Sequence, residues 1–110
     1  MEKMSVFLET FGTSPINRVL DFLIVHEEFD YSMTDIAKLS GVGYATLKLF
    51  WKNLVGRSIV ICTREVGKAK MFKLNFENQV MQKFKQFYWE TTKLKTDELL
   101  EKSVIAAKTI

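Results

Sequence analysis

The sequence predicts an α+β domain, mostly α, in which a helix-turn-helix is followed by a β-hairpin. Three observations carry this. Apolar residues recur at three- and four-residue intervals through most of the chain, which is the helical period. Residues 34–54, TDIAKLSGVGYATLKLFWKNL, set Gly41 and Gly43 between two short segments of that kind. Residues 58–75, SIVICTREVGKAKMFKLN, abandon the helical period for two strand-like runs on either side of Gly67.

The elements follow in chain order. Met4, Phe7, Leu8 and Phe11 stand at i, i+3, i+4 and i+7, so a short amphipathic helix ending at Gly12 is expected. In TSPINRVLDFLIVHEEF, Ser14 can cap a second helix and Pro15 suits its first position, with Ile16, Val19, Leu20 and Leu23 as the buried stripe. FDYSM is too short for a helix and reads as an edge strand. Ser32 or Thr34 then caps a helix to about Leu39, Ser40 to Val42 turn the chain, and a further helix runs from about Tyr44 to Val55 with Gly56 ending it. Strands over Ile59–Thr63 and Lys70–Leu74 flank EVGKA, where Gly67 can take the positive φ of a hairpin turn. From Asn78, the residues Val80, Phe84, Phe87, Thr91 and Leu94 follow a 4-3-4-3 spacing, the seam of a helix packed lengthwise on another. Beyond Leu94 the seam fails, and Thr96 or Asp97 can cap a last short helix holding Leu99, Leu100, Val104 and Ile105.

Length and composition bound the function. A chain of 110 residues has material for one domain, and 47% hydrophobic with 26% charged residues is the balance of a globular protein. No apolar run approaches a membrane span, so a cytoplasmic protein without a membrane partner is expected. One cysteine and one histidine exclude an internal disulfide and leave little for a metal, so neither a metal nor a cofactor is expected. Cys62 is expected as a small buried residue on a strand, and His26 as a helix-end side chain. There is no phosphate-cradling glycine loop and no nucleophile in register with a base, which argues against an enzyme.

The net charge of +3 is unevenly spread. Up to Asp30 acids dominate. Between Tyr31 and Phe76, Lys38, Lys48, Lys52, Arg57, Arg64, Lys68, Lys70 and Lys73 face only Asp35 and Glu65, a local +6. That is the footprint of a surface for a polyanion. The same segment holds the two short helices joined at Gly41, a helix-turn-helix whose second helix is suited to the DNA major groove. Ala37 permits their close crossing, and Ile36, Val42, Leu47, Phe50 and Leu54 are spaced to meet Val19, Leu20 and Leu23 in one core.

In the order helix, short strand, helix-turn-helix and basic hairpin, the chain resembles the winged helix-turn-helix transcriptional regulators, particularly the small archaeal type. The likeness is carried by SPINRVLDFLI, YSMTDIAKLSGVGYATLKLFWKNLV and CTREVGKAKMFKLN, roughly residues 14–75 of a single domain spanning 1–110. It implies a winged helix-turn-helix with added N- and C-terminal helices that binds double-stranded DNA. On a helical wheel Leu47, Phe50, Trp51 and Leu54 form the inner side of the second helix. By position in the family, Tyr44, Ala45, Thr46, Lys48 and Leu49 on the far side would read bases, while Lys52 would reach a phosphate. Ala45 and Leu49 depart from the polar residues usual there, and they suit thymine methyl groups or a partner protein. Arg64, Lys68 and Lys70 bracket the hairpin turn and suit phosphate or the minor groove.

The aromatic C-terminal helix is more than one small core can cover. Phe7, Phe11, Val80, Phe84, Phe87, Tyr88 and Leu94 are therefore expected at the interface of a homodimer, made by segments 1–12 and 78–110. Two other roles fit the same residues: a winged-helix module that captures a protein through Leu49 and the aromatic helix, and a DNA-binding protein of replication or partition.

Overall fold

The computed structural model describes residues 4–108, with side chains through Lys102. The first three residues, and the side chains of Val104 and Ile105 expected on the last apolar stripe, lie outside the described residues. The elements are α1 (Val6–Phe11), α2 (Pro15–Val25), β1 (Tyr31–Ser32), α3 (Met33–Ser40), α4 (Tyr44–Gly56), β2 (Val60–Val66), β3 (Ala69–Leu74) and α5 (Gln79–Lys108). The strands form one antiparallel sheet in the order β1-β3-β2. This is the mostly helical α+β architecture expected.

Local chemistry sets the boundaries. Ser5, Ser14 and Ser32 each accept a hydrogen bond from the backbone N–H three residues on, capping α1, α2 and α3 in turn. α3 ends in a Schellman motif: Gly41 is left-handed at φ 73°, its N–H reaches the Lys38 carbonyl, and the Val42 N–H reaches the Ala37 carbonyl at 2.9 Å. Val42 is then buried, the apolar contact that accompanies this turn. A Cβ at Gly41 would meet only ordinary contact with Arg18, so the demand at this position is conformational rather than spatial. From α2, Arg18 donates through Nη1 to the Gly41 carbonyl at 2.9 Å, which ties the turn to the body.

Val19, Phe22, Leu23 and Ile24 of α2 meet Ile36 and Ala37 of α3 and Leu47, Trp51 and Leu54 of α4 in one core, closed by Val60, Phe72 and Leu74 of the sheet. Phe50 is partly buried against it. Ile16, expected inside, is exposed; the α2 stripe is rotated toward Phe22 and Ile24 because α1 and the sheet cover that side.

Four further expectations are corrected. Gly56 lies within the last turn of α4, and Ser58 takes the positive φ (57°) that reverses the chain. The carbonyls of Arg57 and Ser58, left without helical partners, accept from the side-chain amides of Asn75 and Asn78. Cys62 is on a strand but exposed, since beside Phe72 it borders an open cleft against α4 rather than the core. The C-terminal region is one unbroken helix, with no cap at Thr96 or Asp97. Its inward line is Met81, Phe84, Tyr88 and Thr91, so Val80 and Leu94 face outward.

Phe7 and Tyr88 are also not available to a second chain, being 5% and 1% exposed. The Phe7 ring contacts Phe84, Phe87 and Tyr88 edge-on or tilted at 5.4–6.4 Å, docking α1 on α5. The Tyr88 hydroxyl donates to Asp21 at 2.5 Å and the Ser5 hydroxyl donates to the same oxygen at 2.6 Å. Burial and the neighbouring Asp21 carboxylate push the Tyr88 phenol well above its ordinary range. One carboxylate on α2 thereby joins α1, α2 and α5.

Candidate nucleic-acid interface

α4 shows why its sequence leaves a charged face. With Leu47, Trp51 and Leu54 buried, helical geometry turns Ala45, Lys48, Leu49 and Lys52 outward, and all four are exposed. Leu49 is 82% exposed. Thr46 is half-buried at the flank. Lys48 stands one turn from Tyr44, its Nζ 5.8 Å from the ring centroid, so the aromatic supports the cation rather than shielding it. Gly43 at the N-cap provides no side-chain acceptor, and the N–H groups of the first turn are left for an outside partner.

The β2–β3 hairpin brings its lysines to this helix. Gly67 and Lys68 are the two-residue turn; Gly67 has φ 63° and is the only residue of the pair with positive φ, as a II′ turn requires. Phe72 of β3 meets Trp51 of α4 edge-on, ring centroids 5.1 Å apart, and fixes one side of the hairpin against the helix. Two adjoining clefts run along this seam. One, of about 230 Å³, is lined by Ser32, Met33, Tyr44, Lys68 and Lys70 among others. The second, of about 450 Å³, is lined by Trp51, Lys52, Val55, Cys62, Lys70 and Phe72 with Met33 and Gly56. Lys70 borders both. Tyr44 and Lys52 on the helix, and Lys68 and Lys70 on the hairpin, therefore edge one continuous surface. Among the described residues none of Lys48, Lys52, Lys68 and Lys70 is in an ion pair, so their charge faces solvent.

Arg64 does not join them. It lines a different cleft with Asp30, Thr63 and Lys73, on the face of the hairpin turned away from α4. Its Nε and Nη2 donate to the two oxygens of Asp30 at 2.9 and 3.0 Å, a bidentate pair. The Arg64 guanidinium and the Thr63 hydroxyl hold the Asp30 carboxyl down at about 2. Alternation along the strand should have put Arg64 and Cys62 on one face, but the register slips between them and Thr63 is left without a partner. Asp30 and Thr63 are functional candidates that sequence reasoning missed. No local signal marks a pair 34 positions apart.

Among the described residues no three His, Cys, Asp or Glu side chains gather to hold a metal ion, and no helix is long and apolar enough to cross a membrane.

No family model and no curated protein matches the chain. Solved structures do. MepR, described as a transcription regulator of the Staphylococcus aureus multidrug efflux pump MepA, superposes with a TM-score of 0.61 at 19% identity, covering 93% of this chain and 77% of MepR. Lactococcus lactis ZitR, solved in complex with DNA, superposes with a TM-score of 0.53 at 16% identity, over 84% of this chain and 68% of ZitR. Its C30AH42A mutant gives 0.56 at 17% identity over the same shares. At such identities the likeness is one of fold, and the fold is the winged helix. Both proteins are bacterial, so the likeness does not extend to the archaeal type.

Proposed function

We propose that the chain is a sequence-specific DNA-binding regulator of transcription, acting in the cytoplasm as a homodimer. α4 enters the major groove with Tyr44, Ala45, Thr46, Lys48 and Leu49 toward the bases. Lys52 and the wing residues Lys68 and Lys70 grip the backbone or the adjacent minor groove. The observation that carries this reading is the continuous cationic surface shared by the outer face of α4 and the wing, whose lysines are in no ion pair among the described residues. That ZitR, of the same fold, is solved on DNA supports it.

The dimer rests on the other end of the molecule. α5 has 30 residues, about 45 Å of helix, in a chain whose extents are 63 × 30 × 22 Å. Phe11, Val80, Phe87 and Leu94 from the expected interface, with Trp89, Leu99 and Leu100, are exposed along α1 and α5. A second copy paired across a two-fold axis covers them and sets two α4 helices at half-sites about one helical turn apart.

Selection of bound duplexes from a random library at one stated salt concentration tests both parts. A palindromic winner is expected; a winner without two-fold symmetry would oppose the dimer, and no enriched sequence would oppose specific recognition. The exposure of Leu49 favours one second reading, capture of a partner protein by this face. Reversal of Lys48, Lys52 and Lys68 to glutamate spares partner capture on that reading and removes DNA binding on the first.

A further inference from the structure

The wing has little to hold it. β1 contributes two residue pairs to β3, Tyr31 with Phe72 and Ser32 with Met71, and from Ile61 to Lys70 every residue of the hairpin is exposed. A two-stranded hairpin without packing has no fixed attitude of its own. On the side toward α4 the contact of Phe72 with Trp51 supports it. On the opposite side the support is polar. Asp30, in the loop between α2 and β1, reaches across β3 to β2. There its carboxylate accepts from Thr63 Oγ1 at 2.5 Å and from both Arg64 nitrogens. Cys62 pairs with Phe72 and Arg64 with Met71, so Thr63 is the extra residue of a bulge. A bulge is where a strand bends and twists most. All three hydrogen bonds fall on that bend. The Asp30 side chain is 16% exposed and Arg64 62%, so the acid is the seated partner and the arginine comes to it.

We infer that Asp30 is a positioning residue: by clasping the β2 bulge from behind, it sets the angle at which the wing lysines stand beside α4. The inference rests on the DNA-binding reading, and its sign separates it from plain electrostatics. Removing an acid from a chain that binds a polyanion strengthens binding if charge alone matters. Loosening a preorganised wing weakens it, because the lost order must be restored on binding. Arg64 belongs to the same clasp, so its loss and that of Asp30 are one event counted twice.

The test is a double-mutant cycle on the selected duplex at fixed ionic strength, with D30A, R64A and D30A/R64A, and with D30N as a milder variant that keeps one acceptor oxygen. Helix content by circular dichroism confirms that each variant folds. The expected result is binding about fivefold weaker in D30A, a smaller loss in D30N, and a double variant no weaker than R64A alone. A second reading needs no DNA: in a W89F background, acrylamide quenching of Trp51 increases when Asp30 is removed, because the wing no longer closes over the indole. D30A binding as tightly as the native chain or tighter, or losses that add, overturns the inference while leaving the DNA reading intact. If the native chain binds no duplex, the DNA reading falls, and unchanged Trp51 quenching in D30A then overturns the clasp as well.

Discussion

The α4–wing surface and the α1–α5 end are built from the same small alphabet and arranged in opposite ways. At the first, apolar side chains go inward and the lysines remain outside, unpaired, around one exposed leucine. At the second, the interior takes Phe7, Tyr88 and Thr91, and an apolar remainder of Phe11, Val80, Phe87 and Leu94 stays outside. Two of its cations are engaged, Lys95 with Glu9 at 3.2 Å and Lys85 with Glu27 at 2.8 Å, while the exposed Lys83 and Lys93 stand among exposed acids such as Glu90. A surface of cations with few acids calls for a polyanion, whereas an exposed apolar stripe flanked by charges of both signs calls for a like surface. The single Asp21 carboxylate, holding Ser5 and Tyr88, keeps the two ends in one body.

This contrast can be broken from either side. The largest effect is expected from K48E/K52E/K68E, which should weaken duplex binding by roughly a hundredfold or more, measured by fluorescence anisotropy, without changing molecular mass. F87E/L94E should do the converse. Light scattering is expected to show the mass of a single chain, with native helix content and weakened binding to a two-half-site duplex.

Smaller changes sharpen the comparison. Gly41→Ala places a Cβ at φ 73° and should cost about 1 kcal/mol in denaturant unfolding, since the left-handed turn is retained at a steric penalty. Replacing thymines of the selected duplex one at a time by uracil should lower affinity about fivefold where Ala45 or Leu49 meets the 5-methyl group, and not elsewhere. The smallest effect concerns pH. The folded value of Asp30 is depressed, so its clasp is fully present above its ordinary value of 3.8 and is lost as pH falls through about 2. Its carboxyl carbon shift, followed by NMR, should therefore be flat from neutral pH down to about 3.5, where an aspartate of ordinary value would already be about two-thirds protonated.

What could be read beforehand divides along the same line. The helix-turn-helix was legible because each signal is local: Ser32 caps three residues ahead, Gly41 needs no neighbour to demand its conformation, and Leu47, Trp51 and Leu54 repeat at the helical period. The hairpin turn was legible through Gly67, but the full length of β2 was not, because Arg64, Glu65 and Val66 are exposed and carry no alternation. In α5 the aromatic residues Phe84, Phe87, Tyr88 and Trp89 cover more than one side of the helix, so spacing could not choose the inward line. Docking of Phe7 chooses it. The place of Arg64 was illegible for a different reason, since a one-residue bulge reverses which face a strand residue takes, and the acid that holds it comes from before β1.

The most direct test of the central claim is the affinity of the native chain for the selected duplex as a function of salt. With Lys52, Lys68 and Lys70 each neutralising one phosphate in both protomers, a plot of log K against log salt should fall with a slope of about −5.4, or about −2.7 if a single protomer binds. A slope near zero, or no duplex binding at low salt, contradicts the assignment of the α4–wing surface to DNA.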